Sequence, residues 1–117
     1  MTDKHNHDTV LHIYIGEDDI QEWTQGVGKF VLMPAMFESL KEMINEDLEK
    51  IQFARVECSI RNKKRAFDFF VEIEGISEAI EKLMEWALEE EKYEMCAEIK
   101  KLEELVQKQE ELSLIHI

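Results

Sequence analysis

The sequence has few of the residues that interrupt or cross-link a chain: four glycines, one proline and two cysteines among 117 residues. So little glycine and proline excludes a flexible linker and a low-complexity tract. The two cysteines, Cys58 and Cys96, have 37 residues between them and fit neither a disulfide framework nor a zinc knuckle. We therefore expect two buried or half-buried thiols in a reducing cytoplasm.

Long apolar runs and positive charge are also scarce. No stretch approaches the ~18 consecutive apolar residues of a membrane span, and the polar start lacks the apolar core of a signal peptide. Acidic residues outnumber basic ones 27 to 14, which gives a formal net charge of -13. Because binding to a nucleic-acid backbone needs an excess of Lys and Arg, we expect no direct nucleic-acid binding. Because no apolar run is long enough to span a bilayer, we also expect no membrane binding.

The composition is otherwise globular, with 44% hydrophobic and 35% charged residues. This balance suits one domain with a core of its own. We expect a disordered tail over residues 1–9, a single α+β domain over 10–111 and a non-native tail over 112–117. The last six residues resemble a translated sequencing adapter joined to an open reading frame.

Local patterns predict the first elements of this domain. A β-rich apolar run at 10–15 predicts a strand, and a second short run at 30–33 predicts another. After Pro34, apolar residues recur at threes and fours, which predicts a helix from about residue 34 to 52.

Apolar and polar residues alternate along two neighbouring runs, 55–61 and 67–73. A four-residue turn between them pairs Ile60 with Phe67 and sets the apolar residues on one face. The pattern predicts a β-hairpin, with the aromatic Phe70 on its polar face.

Residues 76–88 and 95–106 carry apolar residues at helical spacing, and the acidic stretch 89–92 separates them. Ser77 is placed to cap the first helix. Two antiparallel helices and one long kinked helix both fit. The predicted fold is therefore α+β: a small antiparallel sheet with a central β-hairpin, one packed helix, and a C-terminal helical hairpin or long helix.

Within residues 83–105, Tyr93 and Glu94 form an aromatic-Glu pair, a small residue follows at Cys96, and Ile99 takes the place of a leucine. This pattern resembles the UVR motif, a short helical hairpin of nucleotide-excision-repair subunits and of some bacterial protease adaptors. The resemblance implies a protein-binding hairpin and self-association, not catalysis.

The sequence departs from that family pattern at Lys101 and Glu103. Aromatic residues that lie off the apolar stripes are typical of interfaces. For two of them, Phe70 and Trp86, burial under a covering helix is an equally good interpretation. The candidate partner-binding residues are Phe70, Trp86, Tyr93, Cys96, Ile99 and Leu102.

No catalytic pattern is present: there is no Gly-rich phosphate loop, no Gly-x-Ser-x-Gly and no His-Glu-x-x-His. His5, His7 and His12 crowd the N-terminus, but no Cys or acidic residue at ligand spacing completes a metal site. We therefore expect no enzyme activity, no cofactor and no metal. A basic cluster is a candidate anion-binding site, although such clusters more often keep a turn soluble: Arg61, Lys63, Lys64 and Arg65.

Together these patterns predict a non-enzymatic protein–protein interaction or regulatory module, which acts through its C-terminal amphipathic helical hairpin and forms a homo-oligomer. Two other classes stay open. A strongly acidic protein can imitate nucleic acid and block a basic groove, as phage-type anti-defence proteins do. An oligomer can also bind a phosphate-bearing small ligand between its subunits.

Overall fold

The structure is a computed structural model that describes residues 10–115, with side chains described through residue 109. The expected disordered tail over residues 1–9 therefore lies outside the described residues. The elements in chain order are β1 Leu11–Tyr14, α1 Ile20–Gln25, α2 Lys29–Asn45, β2 Lys50–Ile60, β3 Lys63–Glu72, a 3₁₀ turn Ile73–Gly75, α3 Ile76–Glu89 and α4 Tyr93–Ile115.

This element content confirms the predicted α+β class. The chain divides into two compact units, Met1–Ile73 and Glu74–Ile117. The first unit holds the whole sheet with α1 and α2, and the second holds α3 and α4. The single domain expected over residues 10–111 stays a prediction.

The first unit is built on a three-stranded sheet with the strand order β1-β2-β3. β2 and β3 form the predicted antiparallel hairpin, whereas β1 runs parallel to β2, with Leu11 level with Ala54. The sheet is therefore mixed, not wholly antiparallel as expected. The reason is the connection: α1 and α2 lie between β1 and β2 and supply the long crossover that a parallel pair requires.

The turn of the hairpin is tighter than expected. Arg61 and Asn62 alone connect the strands, with φ of 51° and 65°. Two positive φ values are characteristic of the type I′ turn, whose twist matches that of the strands. Phe67 consequently pairs with Val56 and not with Ile60. Because this shift is an even number of residues, the apolar side chains stay on the face that the alternation predicts.

α2 corrects two expectations. The strand predicted at 30–33 is the beginning of this helix, and the helix predicted over 34–52 begins earlier and ends earlier, at Lys29–Asn45. Pro34 lies inside the helix and does not begin it. The short apolar run is helical because it continues the stripe: Leu32, Met36 and Leu40 are all buried.

The end of α2 is fixed by a residue in the left-handed conformation. Asp47 has a φ of 55°, and the Leu48 N–H donates to the Met43 carbonyl at 2.9 Å. This is the Schellman arrangement, in which a backbone bond reaches back across five residues and stops the helix. Ile51 therefore belongs to β2 and not to the helical stripe.

One face of the sheet forms the core of the first unit against α2. Buried side chains of β2 alternate with exposed or half-exposed ones along its second half, as expected for a strand covered on one side. Cys58 is one of these buried residues, as expected. The buried apolar residues of α2 and the sheet are Leu32, Met36, Phe37, Leu40, Met43, Ile51, Phe53, Ala54, Val56, Cys58 and Val71.

The second unit is a helical hairpin, so two helices form and not one long helix. Glu91 has a φ of 56°, and the Lys92 N–H donates to the Ala87 carbonyl at 2.9 Å, which gives α3 a Schellman end like that of α2. α3 begins one residue before Ser77, with Gly75 at the N-cap, so the predicted serine cap is wrong.

The last residues of the chain also differ from expectation. No helical pattern is evident in residues 112–117, yet α4 continues through Ile115. His116 and Ile117 lie outside the described residues, and the non-native origin of this segment stays a prediction.

Replacing Glu91 with glycine should stabilise the second unit by about 0.5–1 kcal/mol, because glycine adopts a positive φ without the cost that a side chain imposes. Urea unfolding followed by far-ultraviolet circular dichroism measures the change. The matched control is Glu90→Gly, since Glu90 has a φ of -90° and gains nothing from glycine. A Glu91→Gly midpoint at or below that of the control would contradict the assignment of the loop.

Candidate interaction surfaces

The face of the sheet opposite α2 carries a polar network across β2 and β3. The Asp68 carboxylate accepts hydrogen bonds from Gln52 Nε2 at 2.9 Å and from Arg55 Nη1 at 3.0 Å. Arg55 Nε also lies 3.6 Å from a carboxylate oxygen of Glu57. Because these side chains are partly exposed, each ion pair contributes at most about 1 kcal/mol to stability. Their effect is to hold this face in one arrangement.

Phe70 lies on the same polar face, opposite Gln52, and is 41% exposed. The Lys50 ammonium sits 4.3 Å from the centre of its ring, close enough for a cation–π contact. Lys50 also lies 3.7 Å from the Glu72 carboxylate. Of the two interpretations of Phe70, its 41% exposure agrees with the exposed one, and the Lys50 ammonium lies against its ring.

Three of the candidate partner-binding residues are buried in the structure: Trp86, Ile99 and Leu102. Ile99 and Leu102 lie on the stripe of α4 that packs against α3, so they hold the hairpin together and are not open to a partner. In the described chain they belong to the hairpin core, and the expectation that they bind a partner stays a prediction. An apolar stripe at helical spacing indicates that another element packs against it, and here that element is the neighbouring helix.

The other two candidates on α4 remain accessible. Tyr93 is 65% exposed, and Cys96 is half-buried. Leu88, which was not among the predicted candidates, is 53% exposed at the end of α3. Ala87 is the last member of the buried stripe of α3, and Leu88 is the next residue along the helix. Its position just outside the stripe could have identified it as exposed. Leu88 and Tyr93 flank the three-residue loop, and we call this pair the hairpin end.

The predicted basic residues are brought together at the turn of the β-hairpin. All are exposed, and none forms an ion pair within residues 10–115. The Ser59 N–H donates to the Gly16 carbonyl at 2.7 Å, and the two-stranded ribbon of β2 and β3 extends beyond this bond only over residues 60–63, with Lys64 opposite Ser59 and Arg65 opposite Cys58. We call this end of the ribbon the basic tip: Arg61, Lys63, Lys64 and Arg65.

A second feature that the sequence analysis missed is an open groove of about 710 Å³ between the start of β1 and the C-terminal part of α2. Glutamates of α2 line it at every fourth position, which places them on one side of the helix. The sequence shows the four-residue spacing of these glutamates, but it does not show that β1 lies opposite them. We call it the acidic groove and define it by Val10, Leu11, Glu38, Glu42 and Glu46.

An apolar group at the start of α2 was also missed, because residues 30–33 were expected to form a strand. Val27, Phe30 and Val31 are all exposed, and they follow the spacing of one helical face. They lie at the opposite end of α2 from the acidic groove.

The described residues show no site for a metal ion: within 10–115, no three His, Cys, Asp or Glu side chains are grouped to hold one. His12 is exposed on β1, and His5 and His7 lie outside the described part of the chain. None of the helices described is both long enough and apolar enough to cross a bilayer.

The burial of Ile99 predicts a structural role that can be measured. Ile99→Ala should lower the free energy of unfolding by about 2–5 kcal/mol, because it leaves a cavity between the two helices. Leu105 on the same helix is 49% exposed, so Leu105→Ala should cost less than about 1 kcal/mol. Urea denaturation of both variants tests this, and equal losses would show that Ile99 is not part of the hairpin core.

We compared the chain with protein-family models, with curated proteins and with solved structures. No family model matches it. No curated protein and no solved structure matches it either.

Proposed function

We propose that this protein is a non-enzymatic protein–protein interaction module whose contact surface is the hairpin end. The observation that carries the proposal is the presence of two large exposed apolar side chains on either side of one three-residue loop, Leu88 at 53% and Tyr93 at 65%. Covering such side chains with a partner gains free energy in proportion to the apolar area removed from water. The resemblance of this hairpin to the UVR motif agrees with a protein-binding role.

The loop that carries the pair is suited to binding because its conformation is already fixed. The Glu91 N–H donates to the Leu88 carbonyl at 3.2 Å, next to the bond from the Lys92 N–H. The Lys92 ammonium lies 5.7 Å from the centre of the Trp86 ring, which connects the loop to a buried side chain. A surface that is ordered before binding loses little conformational entropy when the partner docks.

We place this activity in the cytoplasm. Both cysteines are free thiols, with Cys58 buried and Cys96 half-buried. A reducing compartment preserves such thiols.

A mimic of nucleic acid is the second candidate function. Four glutamates at helical spacing are exposed along α3, and such a row can occupy a basic groove on an enzyme as phosphates do. Binding of this kind weakens steeply with salt, whereas apolar docking does not. The four residues are Glu78, Glu81, Glu85 and Glu89.

The test is affinity capture from bacterial lysate at low and at high ionic strength, with mass spectrometry of the retained proteins. The double variant Leu88→Glu/Tyr93→Glu removes the proposed surface. The matched control is Leu105→Glu, which makes the same exposed change about 18 Å along α4 from Tyr93. We expect one stoichiometric protein on the wild type and the control at both ionic strengths, and none on the double variant.

Two outcomes would contradict this function. Equal retention by all three baits would show that the hairpin end is not the contact surface. A protein that leaves every bait at high ionic strength, and that Glu81→Lys/Glu85→Lys fails to retain, would favour the nucleic-acid mimic.

A further inference from the structure

β3 is one edge of the three-stranded sheet, because the strand order is β1-β2-β3. It runs over Lys63–Glu72 and, with ten residues, is longer than the about five or six residues of a common strand. Within the described residues, the backbone of β3 forms hydrogen bonds with β2 alone. The backbone groups on its outer side are therefore available to an added strand.

The edge lacks the features that usually prevent such pairing. Proteins protect an exposed edge with proline, with a bulge or with charged side chains. β3 contains no proline and no glycine, and the irregularity in the pairing lies in β2. Between Ala66 and Val71 the single charged residue is Asp68, whose carboxylate accepts a hydrogen bond from Arg55 Nη1 at 3.0 Å and so is directed toward β2. The middle of the edge is thus unprotected.

The apolar face of β3 is also incompletely covered. Val56 of β2 is fully buried, yet Phe67, its direct neighbour on β3, is only half-buried. Ala54 of β2 and its neighbour Phe69 differ in the same way, although the Phe69 ring lies 6.1 Å from that of Phe53. Apolar area therefore remains accessible along the edge, and a strand added there would remove it from water.

The charges at the two ends of β3 are opposite in sign. Lys63, Lys64 and Arg65 begin the strand, Glu72 ends it, and all four are exposed. A second β3 in the antiparallel orientation places the basic end of each strand beside the acidic end of the other, whereas a parallel one places like charges together. Opposite charges across a strand pair stabilise it, and like charges destabilise it. The edge is therefore complementary to an antiparallel copy of itself.

We propose that β3 pairs with β3 of a second copy, antiparallel and about a two-fold axis, so that two three-stranded sheets form one continuous sheet. The axis passes through Asp68. Lys64 then lies opposite Glu72 of the second copy, and Phe67 lies opposite Phe69 of the second copy. Because both copies use the same surface, the contact closes as a dimer. It lies within the first unit and does not depend on the proposed role of the hairpin end.

The ion pairs and the strand faces select this register. Residues directly opposite must lie on the same face, since side chains alternate along a strand. Moving the axis by one residue in either direction keeps the faces aligned but separates Lys64 from Glu72, and both ion pairs are lost. The two Asp68 carboxylates meet at the axis, but each is already held by Gln52 and Arg55 of its own chain, and the Arg55 charge offsets their repulsion.

The ion pairs are tested by Lys64→Glu and by Glu72→Lys, each of which places like charges in both pairs of a dimer. Sedimentation velocity at an ionic strength of about 0.15 M measures the dissociation constant, because a screening length of about 8 Å limits the repulsion between two copies of formal charge -13. The matched controls, Lys100→Glu and Glu81→Lys, make the same changes of charge at exposed positions outside the sheet. Each β3 variant should dimerise at least about tenfold more weakly than its control.

An equimolar mixture of the two β3 variants should restore the dimer. In the mixed dimer, one ion pair is native and the other is reversed, so both again join opposite charges. Glu72 also lies 3.7 Å from Lys50 of its own chain, so circular dichroism spectra are needed to show that Glu72→Lys is folded. The hairpin-end variant Leu88→Glu/Tyr93→Glu leaves β3 unchanged and should dimerise like the wild type, which separates this proposal from the proposed function.

Hydrogen exchange measured by mass spectrometry tests the edge without any substitution. Raising the protein concentration from far below to far above the dissociation constant should slow exchange across residues 63–72, because the outward N–H groups of β3 then donate to the second copy. β1 forms the other edge of the sheet and is the internal control, since its exchange should not change with concentration.

Four results would overturn the proposal. The first is a wild type that stays monomeric at every concentration. The second is a dimer that Lys64→Glu weakens no more than Lys100→Glu does, or that the mixture fails to restore. The third is protection that rises with concentration in β1 or at the hairpin end and not in β3. The last is dimerisation only after removal of residues 1–9, which would show that this segment occupies the edge.

Discussion

The first unit depends on the packing of α2 against one face of the sheet. A sheet with one apolar face must bury that face against another element. Leu40 and Met43 of α2 are fully buried against the sheet side that holds Val56 and Cys58. Since one helix covers one face, the other face must carry side chains that tolerate water. The network around Asp68 and the half-exposed Phe70 follow from that constraint.

The same packing also determines where the unit is open. α2 contributes apolar side chains to the sheet and presents its row of glutamates beside β1, so one helix forms both the core and one wall of the groove. The long hairpin extends past the end of β1, and its cations are exposed there because no other strand flanks them in the described chain. The core, the acidic groove and the basic tip therefore all follow from the strand order β1-β2-β3 and from the position of α2 on one face of the sheet.

Much of this fold could be predicted from the sequence, and the errors have physical causes. The alternation along β2 and β3 identifies the hairpin because a period of two residues belongs only to strands. It does not fix the register, because Arg61-Asn62 lacks the glycine that usually marks a type I′ turn. The run at 30–33 is too short to distinguish helix from strand, and Pro34 suggested a helix start that the structure does not have.

The candidate surfaces were harder to predict than the elements. Periodicity identifies apolar stripes, but it cannot distinguish a stripe that packs on a neighbouring helix from one that binds a partner, and Ile99, named as a partner-binding candidate, is buried in the hairpin. Tyr93, named only as a partner-binding candidate, precedes the stripe and is exposed. The acidic groove could not be found from one helix, since its other wall comes from a strand far away in the sequence.

The parallel pairing of β1 has a consequence for the order in which the first unit folds. The β2–β3 hairpin joins neighbouring residues, whereas Leu11 pairs with Ala54 across the whole of α1 and α2. Pairing across a long loop requires the intervening chain to be ordered first, which makes it slow. We therefore expect β1 to be the last strand to join the sheet and, with only four residues, the first to leave it. Its amide protons would exchange with solvent sooner than those of β2, and each opening would remove one wall of the groove.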